Sequence, residues 1–132
     1  MKSPKVYTAL NAVTATTTSE SFYIGDFKRV AFLFRRAVHS AGGSTAFTIN
    51  TGFDITQNSG TTAPTMTANA MVILNTANDN TKTNYTHGTV TLSANGDGFG
   101  WLDPSVSATH VSVTATETAN GTHTAYIIGW ED

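Results

Sequence analysis

The stretch Arg29 to Asp54, RVAFLFRRAVHSAGGSTAFTINTGFD, limits the fold more than any other part of the chain. Its first arm opens with the apolar run Val30 to Phe34, and both arms are rich in β-branched and aromatic residues. Successive side chains of a strand point to opposite faces. Val30, Phe32, Phe34, Val38, Phe47, Ile49 and Phe53 therefore share one apolar face, with Arg36 among them, while Ala31, Leu33, Arg35, Ala37 and His39 share the other. The glycines of Ala41-Gly42-Gly43-Ser44 supply the positive φ angles of a tight turn. The stretch reads as one long β-hairpin in which Val38 pairs with Phe47, Arg36 with Ile49, Phe34 with Thr51 and Phe32 with Phe53. Because Val30 to Phe34 is apolar on both faces, this arm is expected either at the centre of a sheet or against a partner.

The rest of the chain alternates in the same way. Val6 to Thr14 and Ser21 to Ile24 read as strands, and Thr56 to Pro64 as a polar connection. In Thr65 to Asn75 the β-branched pair Val72-Ile73 and the absence of a helix cap favour a strand over a helix. Tyr85 to Ser93 follows as a strand, Ala94 to Gly98 as a turn and Phe99 to Leu102 as a short aromatic strand. Asn120-Gly121 between two alternating runs is a strong hairpin signal. In that register Val111 faces Trp130, Val113 faces Ile128 and Ala115 faces Tyr126, which places Tyr126, Ile128 and Trp130 in the core. About eight strands of this spacing predict an all-β, antiparallel two-sheet sandwich of jelly-roll or immunoglobulin-like type. The expected organisation is a short arm at residues 1–5 followed by one domain at 6–132.

Composition narrows the function classes. Only 12% of residues are charged, against about a quarter in a typical domain, and the net charge is −2. That balance argues against nucleic-acid binding through a basic surface. About one residue in five is threonine, and cysteine is absent, which removes disulfides and thiolate metal sites. The longest apolar runs fall far short of a membrane span, and MKSPKVYTAL lacks the core of a signal peptide, so a soluble protein that does not contact a membrane is expected.

No catalytic constellation stands out. His39, His87, His110 and His123 lack metal-ligand spacing, and the acidic residues form no adjacent pair of the glycosidase kind. Neither a phosphate-binding glycine loop nor a serine elbow is present. The chain is expected to be no enzyme and to need no metal or cofactor. Two features point instead to contacts. Tyr85, Phe99 and Trp101 are open to core packing, to a subunit interface or to a sugar-stacking platform. Arg35 and Arg36 point to opposite faces of one strand. By the hairpin register Arg36 lies among Phe34, Val38 and Ile49, and it must reach an edge, an acid or a neighbouring chain.

A small cysteine-free, threonine-rich β protein with the segments VAFLFRRAVHSAGGSTAFTINTGFD and HVSVTATETANGTHTAYIIGWED resembles the capsid decoration, or cement, proteins of tailed bacteriophages. The likeness runs from about Arg29 to Asp132 and lies in the profile of strands and turns, not in a motif. It implies a virion protein on the capsid exterior that binds the major capsid protein, often as a homotrimer, and reinforces the shell without chemistry. On that reading Lys2 and Lys5 belong to a docking arm, and Arg35, Arg36, Tyr85, Phe99 and Trp101 to the interface. A carbohydrate-binding sandwich or a tail-fibre receptor-binding domain is the alternative.

Overall fold

The computed structural model describes residues 3–53, 65–68, 71–74, 85–103 and 108–132. Among them it contains strands and no helix. There are twelve strands: β1 (Lys5–Val13), β2 (Thr17–Thr18), β3 (Phe22–Tyr23), β4 (Arg29–Val38), β5 (Thr45–Phe53), β6 (Thr65–Ala68), β7 (Met71–Leu74), β8 (Tyr85–His87), β9 (Val90–Leu92), β10 (Gly96–Leu102), β11 (His110–Glu117) and β12 (Gly121–Trp130). They exceed the expected eight in part because single expected strands are split between sheets, and in part because the threonine run contributes β2. Thr65 to Asn75 yields β6 and β7, and Tyr85 to Ser93 yields β8 and β9, with Gly88 at φ +145 between them. β10 begins at Gly96, inside the expected turn.

All pairings are antiparallel and form two six-stranded sheets. The first runs β1-β12-β4-β10-β7-β8; the second runs β2-β11-β5-β6, with β3 also on β11 and β9 also on β5. The contacts nest: β7 with β8, β5 with β9, β4 with β10, β2 and β3 with β11, and β1 with β12. A doubled chain of this kind, rolled so that β12 also meets β4 and β11 also meets β5, is a jelly-roll sandwich rather than an immunoglobulin-like one.

Both expected hairpins are corrected by this topology. β4 belongs to the first sheet and β5 to the second, so Phe34 does not pair with Thr51, nor Arg36 with Ile49; β4 pairs with β12 and β10. The Gly42-Gly43 segment arches from one sheet to the other. The face that was expected to be shared is real, but its halves meet across the core: Phe34 and Phe47 stack with ring centroids 4.5 Å apart. β11 and β12 are likewise in opposite sheets, joined through Asn120 at φ 65. On β12 the buried residues are Gly121, His123, Ala125, Ile127 and Gly129, whereas Tyr126, Ile128 and Trp130 point outward, the reverse of the expected parity. Inward-facing Gly129 leaves space that Phe27 fills, since a Cβ there would lie 2.5 Å from the ring.

The core consists of Val30, Phe32 and Phe34 from β4, Phe47 and Ile49 from β5, Val111, Val113 and Ala115 from β11, and Ala125 and Ile127 from β12, closed at the sides by Leu10, Ile24 and Val90. Removing this apolar surface from water, at about 25 cal/mol per Å², is the main force holding the sheets together.

Candidate functional site

The two sheets present outer faces of opposite character. On β2, β5, β9 and β11 of the second sheet the face carries mainly hydroxyls and amides that bond to one another across strands, with Tyr23 of β3, 51% exposed beside His110, as an aromatic exception. Thr18 bonds Thr114 at 2.9 Å, Asn50 donates to Ser112 at 3.1 Å and to Thr114 at 2.9 Å, and Thr48 lies 3.3 Å from Thr89. Such groups are well satisfied by one another and by water, although Ser112 among them is only 2% exposed.

Across β1, β12, β4 and β10 the outer face of the first sheet is mainly apolar and aromatic. The registers place Val6, Ile128, Ala31 and Trp101 in one row across β1, β12, β4 and β10, and Thr8, Tyr126, Leu33 and Phe99 in the next. Arg29 and Trp130 lie beyond one side of these rows; Thr124, Arg35 and Asp97 lie beyond the other. Trp130 and Trp101 reach toward each other over β4, with centroids 6.3 Å apart, and Ala31 between them is only 6% exposed although it is on the outer face. Val6, Phe99 and Trp101 remain 57%, 62% and 42% exposed.

Two arginines bracket the strip. The Arg29 guanidinium sits 4.9 Å from the centroid of Trp130, and that of Arg35 sits 6.0 Å from Tyr126. Arg35 is also paired with Asp97 at 3.2 Å. Arg29 has no carboxylate partner among the described residues. A cation over an aromatic face is held in place while its N–H edges stay available for hydrogen bonds.

Arg36 belongs to a different setting, and its assignment to an outer interface is corrected. Its side chain is fully buried and faces Glu117, which is 3% exposed, at 3.2 Å. Nε donates to Thr45 Oγ1 at 2.9 Å and Nη2 to the Ala119 carbonyl at 2.7 Å. Glu117 also accepts from Thr45 at 2.6 Å and from the Ala119 amide at 3.1 Å, and it lies 3.3 Å from Nδ1 of buried His123. Burial pushes the Glu117 carboxyl up, but the hydrogen bonds from Thr45, Arg36 and His123, with the charge of Arg36, outweigh it and hold the group below its ordinary value. Of the sequence alternatives for Arg36, the acid is the one realised, from a strand of the other sheet. The guanidinium lies against Gly121, where a Cβ would come within 2.5 Å of Nε. This cluster stitches the β4–β5 crossover to the β11–β12 crossover. Thr118 N donates to Ser44 O at 3.0 Å and Asn120 Nδ2 to Ala41 O at 3.0 Å in the same zone.

The remaining candidates are dispersed. Lys5 opens β1 and pairs with Glu131 at 3.0 Å. Lys2 lies outside the described residues. Tyr85 starts β8 at the edge of the first sheet, paired with Leu74. Phe99 and Trp101 share the outer strip, as grouped, and are joined there by Tyr126, Ile128 and Trp130, which parity reasoning had placed in the core. His110 packs edge-on against Tyr23 at 5.5 Å, away from His123. Among the described residues no three His, Asp or Glu side chains gather as a metal site.

The geometry defines a jelly-roll sandwich with one face rich in hydroxyls and one apolar, arginine-bracketed face. No protein-family model matches the sequence, and no curated protein matches it. Among solved structures the chain is similar to the SPBc2 prophage-derived protein YomS, with a TM-score of 0.55 and 15% identity over 95% of this chain and 91% of that one. At that identity the likeness establishes the fold. The structural neighbour is a phage-derived protein.

Proposed function

We propose that this chain is a non-enzymatic structural protein of a phage virion, seated on the capsid exterior, where it binds the major capsid protein and stabilises the shell. The observation that carries the reading is the inequality of the two outer faces. The strip around Phe99, Trp101, Tyr126, Ile128 and Trp130 has the residue types that dominate protein interfaces, and the hydroxyls of Thr18, Thr48 and Thr114 on the opposite face suit contact with solvent. The fold shared with a prophage-derived protein supports a phage setting. The protein acts as a homo-oligomer, a trimer being favoured because local threefold positions on a shell multiply weak contacts into firm attachment.

Sedimentation of the purified protein, followed by cosedimentation with expanded capsids that lack it, tests this function. The expected result is a trimer that saturates a fixed number of capsid sites and raises the temperature at which the shells break. Retention on polysaccharide with no capsid binding would replace the reading by a carbohydrate-binding or receptor-binding module.

A further inference from the structure

We infer that the strip from Arg29 to Asp97 on the first sheet is the docking surface, and that the protein surface it receives presents a carboxylate to Arg29 beside apolar side chains that cover Trp101 and Phe99. The inference rests on the capsid reading and adds the face, its orientation and the chemistry of the partner.

The strongest indication is the difference between two arginines on one strand. Arg35 has its own acid, Asp97 at 3.2 Å, and rests by Tyr126. Arg29, with the same orientation six residues earlier, rests on Trp130 and has no acid among the described residues. One end of the strip is neutralised within the chain; the other offers a fixed cation. Stacking on the indole removes most of the rotamer freedom that Arg29 would otherwise lose on binding, so a carboxylate meets a guanidinium that is already placed. Between the charges lie the tryptophan pair roofing Ala31 and the row Phe99, Leu33 and Tyr126, an apolar centre with a charged rim.

Two further points select the occupant. A sugar stacks on open ring faces, but Trp130 already carries Arg29 on its ring and has Trp101 at its side. This favours a protein surface, whose smaller apolar groups fit between and beside the rings. The footprint also fits an arrayed partner. The strip is about 20 Å long at roughly 3.3 Å per residue and about 15–20 Å wide across four strands, which is on the order of 300–400 Å² in plan. That is about half of the roughly 800 Å² that each side of a stable pair commonly contributes. A single contact of this size holds weakly, whereas several copies engaging a repeating lattice hold well.

The test uses the full chain and capsids depleted of it. Arg29→Glu is expected to weaken capsid binding by about tenfold or more, Arg29→Lys by less, and Trp101→Ala by an amount comparable to the charge reversal. Thr114→Ala on the opposite face should change it by no more than about twofold. Unchanged circular dichroism and urea midpoints establish that the variants fold. If Arg29→Glu and Trp101→Ala bind capsids like the parent, the docking surface is wrong while the capsid reading stands. If the parent itself binds no capsid, the reading beneath the inference falls as well. A concentration-dependent dimer abolished by Arg29→Glu, or polysaccharide retention abolished by Trp101→Ala, overturns the inference in favour of a second copy or a glycan.

Discussion

Glu117→Gln tests the buried charge cluster most sharply. The carboxylate serves four donors: Thr45 and His123 on Oε1, Arg36 and Ala119 on Oε2. Glutamine keeps the shape but has one accepting oxygen, so two of these donors confront an NH2 group. Arg36, fully buried, is left with the neutral acceptors Thr45 Oγ1 and Ala119 O. Breaking one side of a buried ion pair costs about 3–5 kcal/mol, a large share of the roughly 5–15 kcal/mol that holds a domain folded. Urea unfolding at pH 7, followed by tryptophan fluorescence, should therefore show a markedly lower midpoint. Replacing both partners, Arg36→Met with Glu117→Leu, should cost less than the single change. The pH dependence gives an independent check. The folded carboxyl titrates below its ordinary 4.5, so its contribution is complete above that pH and is lost as pH falls through the lower folded value. The gap between the parent and Glu117→Gln should thus be widest near neutrality and close in acid. A cost below about 1 kcal/mol at pH 7, or a gap that grows on acidification, would refute the account of a carboxylate held charged by Arg36.

Ile127→Ala, which empties a wholly buried position between the sheets, should cost about 2–5 kcal/mol in the same assay, and Ile128→Ala on the outer face about 1 kcal/mol or less. Gly121→Ala should cost roughly 1–3 kcal/mol, because the new methyl group displaces the Arg36 guanidinium; a neutral result in urea would show that the side chain is not confined there. Gly43→Ala should be worse tolerated than Gly42→Ala in thermal melts, since both have a positive φ but a Cβ at Gly43 would run into the Ala119 carbonyl, whereas one at Gly42 would meet only Asn120 Nδ2 at an ordinary 3.7 Å.

The alternation along β4 and β5 was legible in the sequence, and with it the set Val30, Phe32, Phe34, Phe47 and Ile49 that fills the core. The strand partners were not. A glycine turn between two alternating runs serves equally for two neighbours in one sheet or for two strands facing each other across a core, and both arrangements put the same residues on a shared face. The choice is made by strands distant in sequence: β12 and β10 flank β4, and β11 flanks β5. On β12 parity fails for the same reason: the Asn120-Gly121 register sets Tyr126, Ile128 and Trp130 opposite Ala115, Val113 and Val111, whereas β12 lies in the other sheet from β11 and pairs with β1 and β4. The available signal was the pair of inward glycines, Gly121 and Gly129, which make room for Arg36 and Phe27. The dual apolarity of Val30 to Phe34 did carry over, since its second face, Ala31 and Leu33, lies beneath the aromatic strip. The fate of Arg36 is only half legible: burial demands an edge, an acid or a neighbouring chain, but nothing local points to Glu117.

The nested pairing has a consequence for how the chain is made. Among the described strands β1 comes earliest along the sequence, yet within them it pairs only with β12, where Lys5 meets Gly129 and Val6 meets Ile128. By this pairing β1 gains its place in the sheet only after β12 has been synthesised. Until then β4 also lacks one of its two neighbours, and an apolar strand with an open edge is a template for pairing with another nascent chain. Contacts this remote in sequence carry a large loop-closure cost, which puts folding in the slow range of about milliseconds to seconds. Recovery of folded protein should depend strongly on how crowded the unfinished chains are, so slower synthesis at lower temperature is the condition that favours this topology.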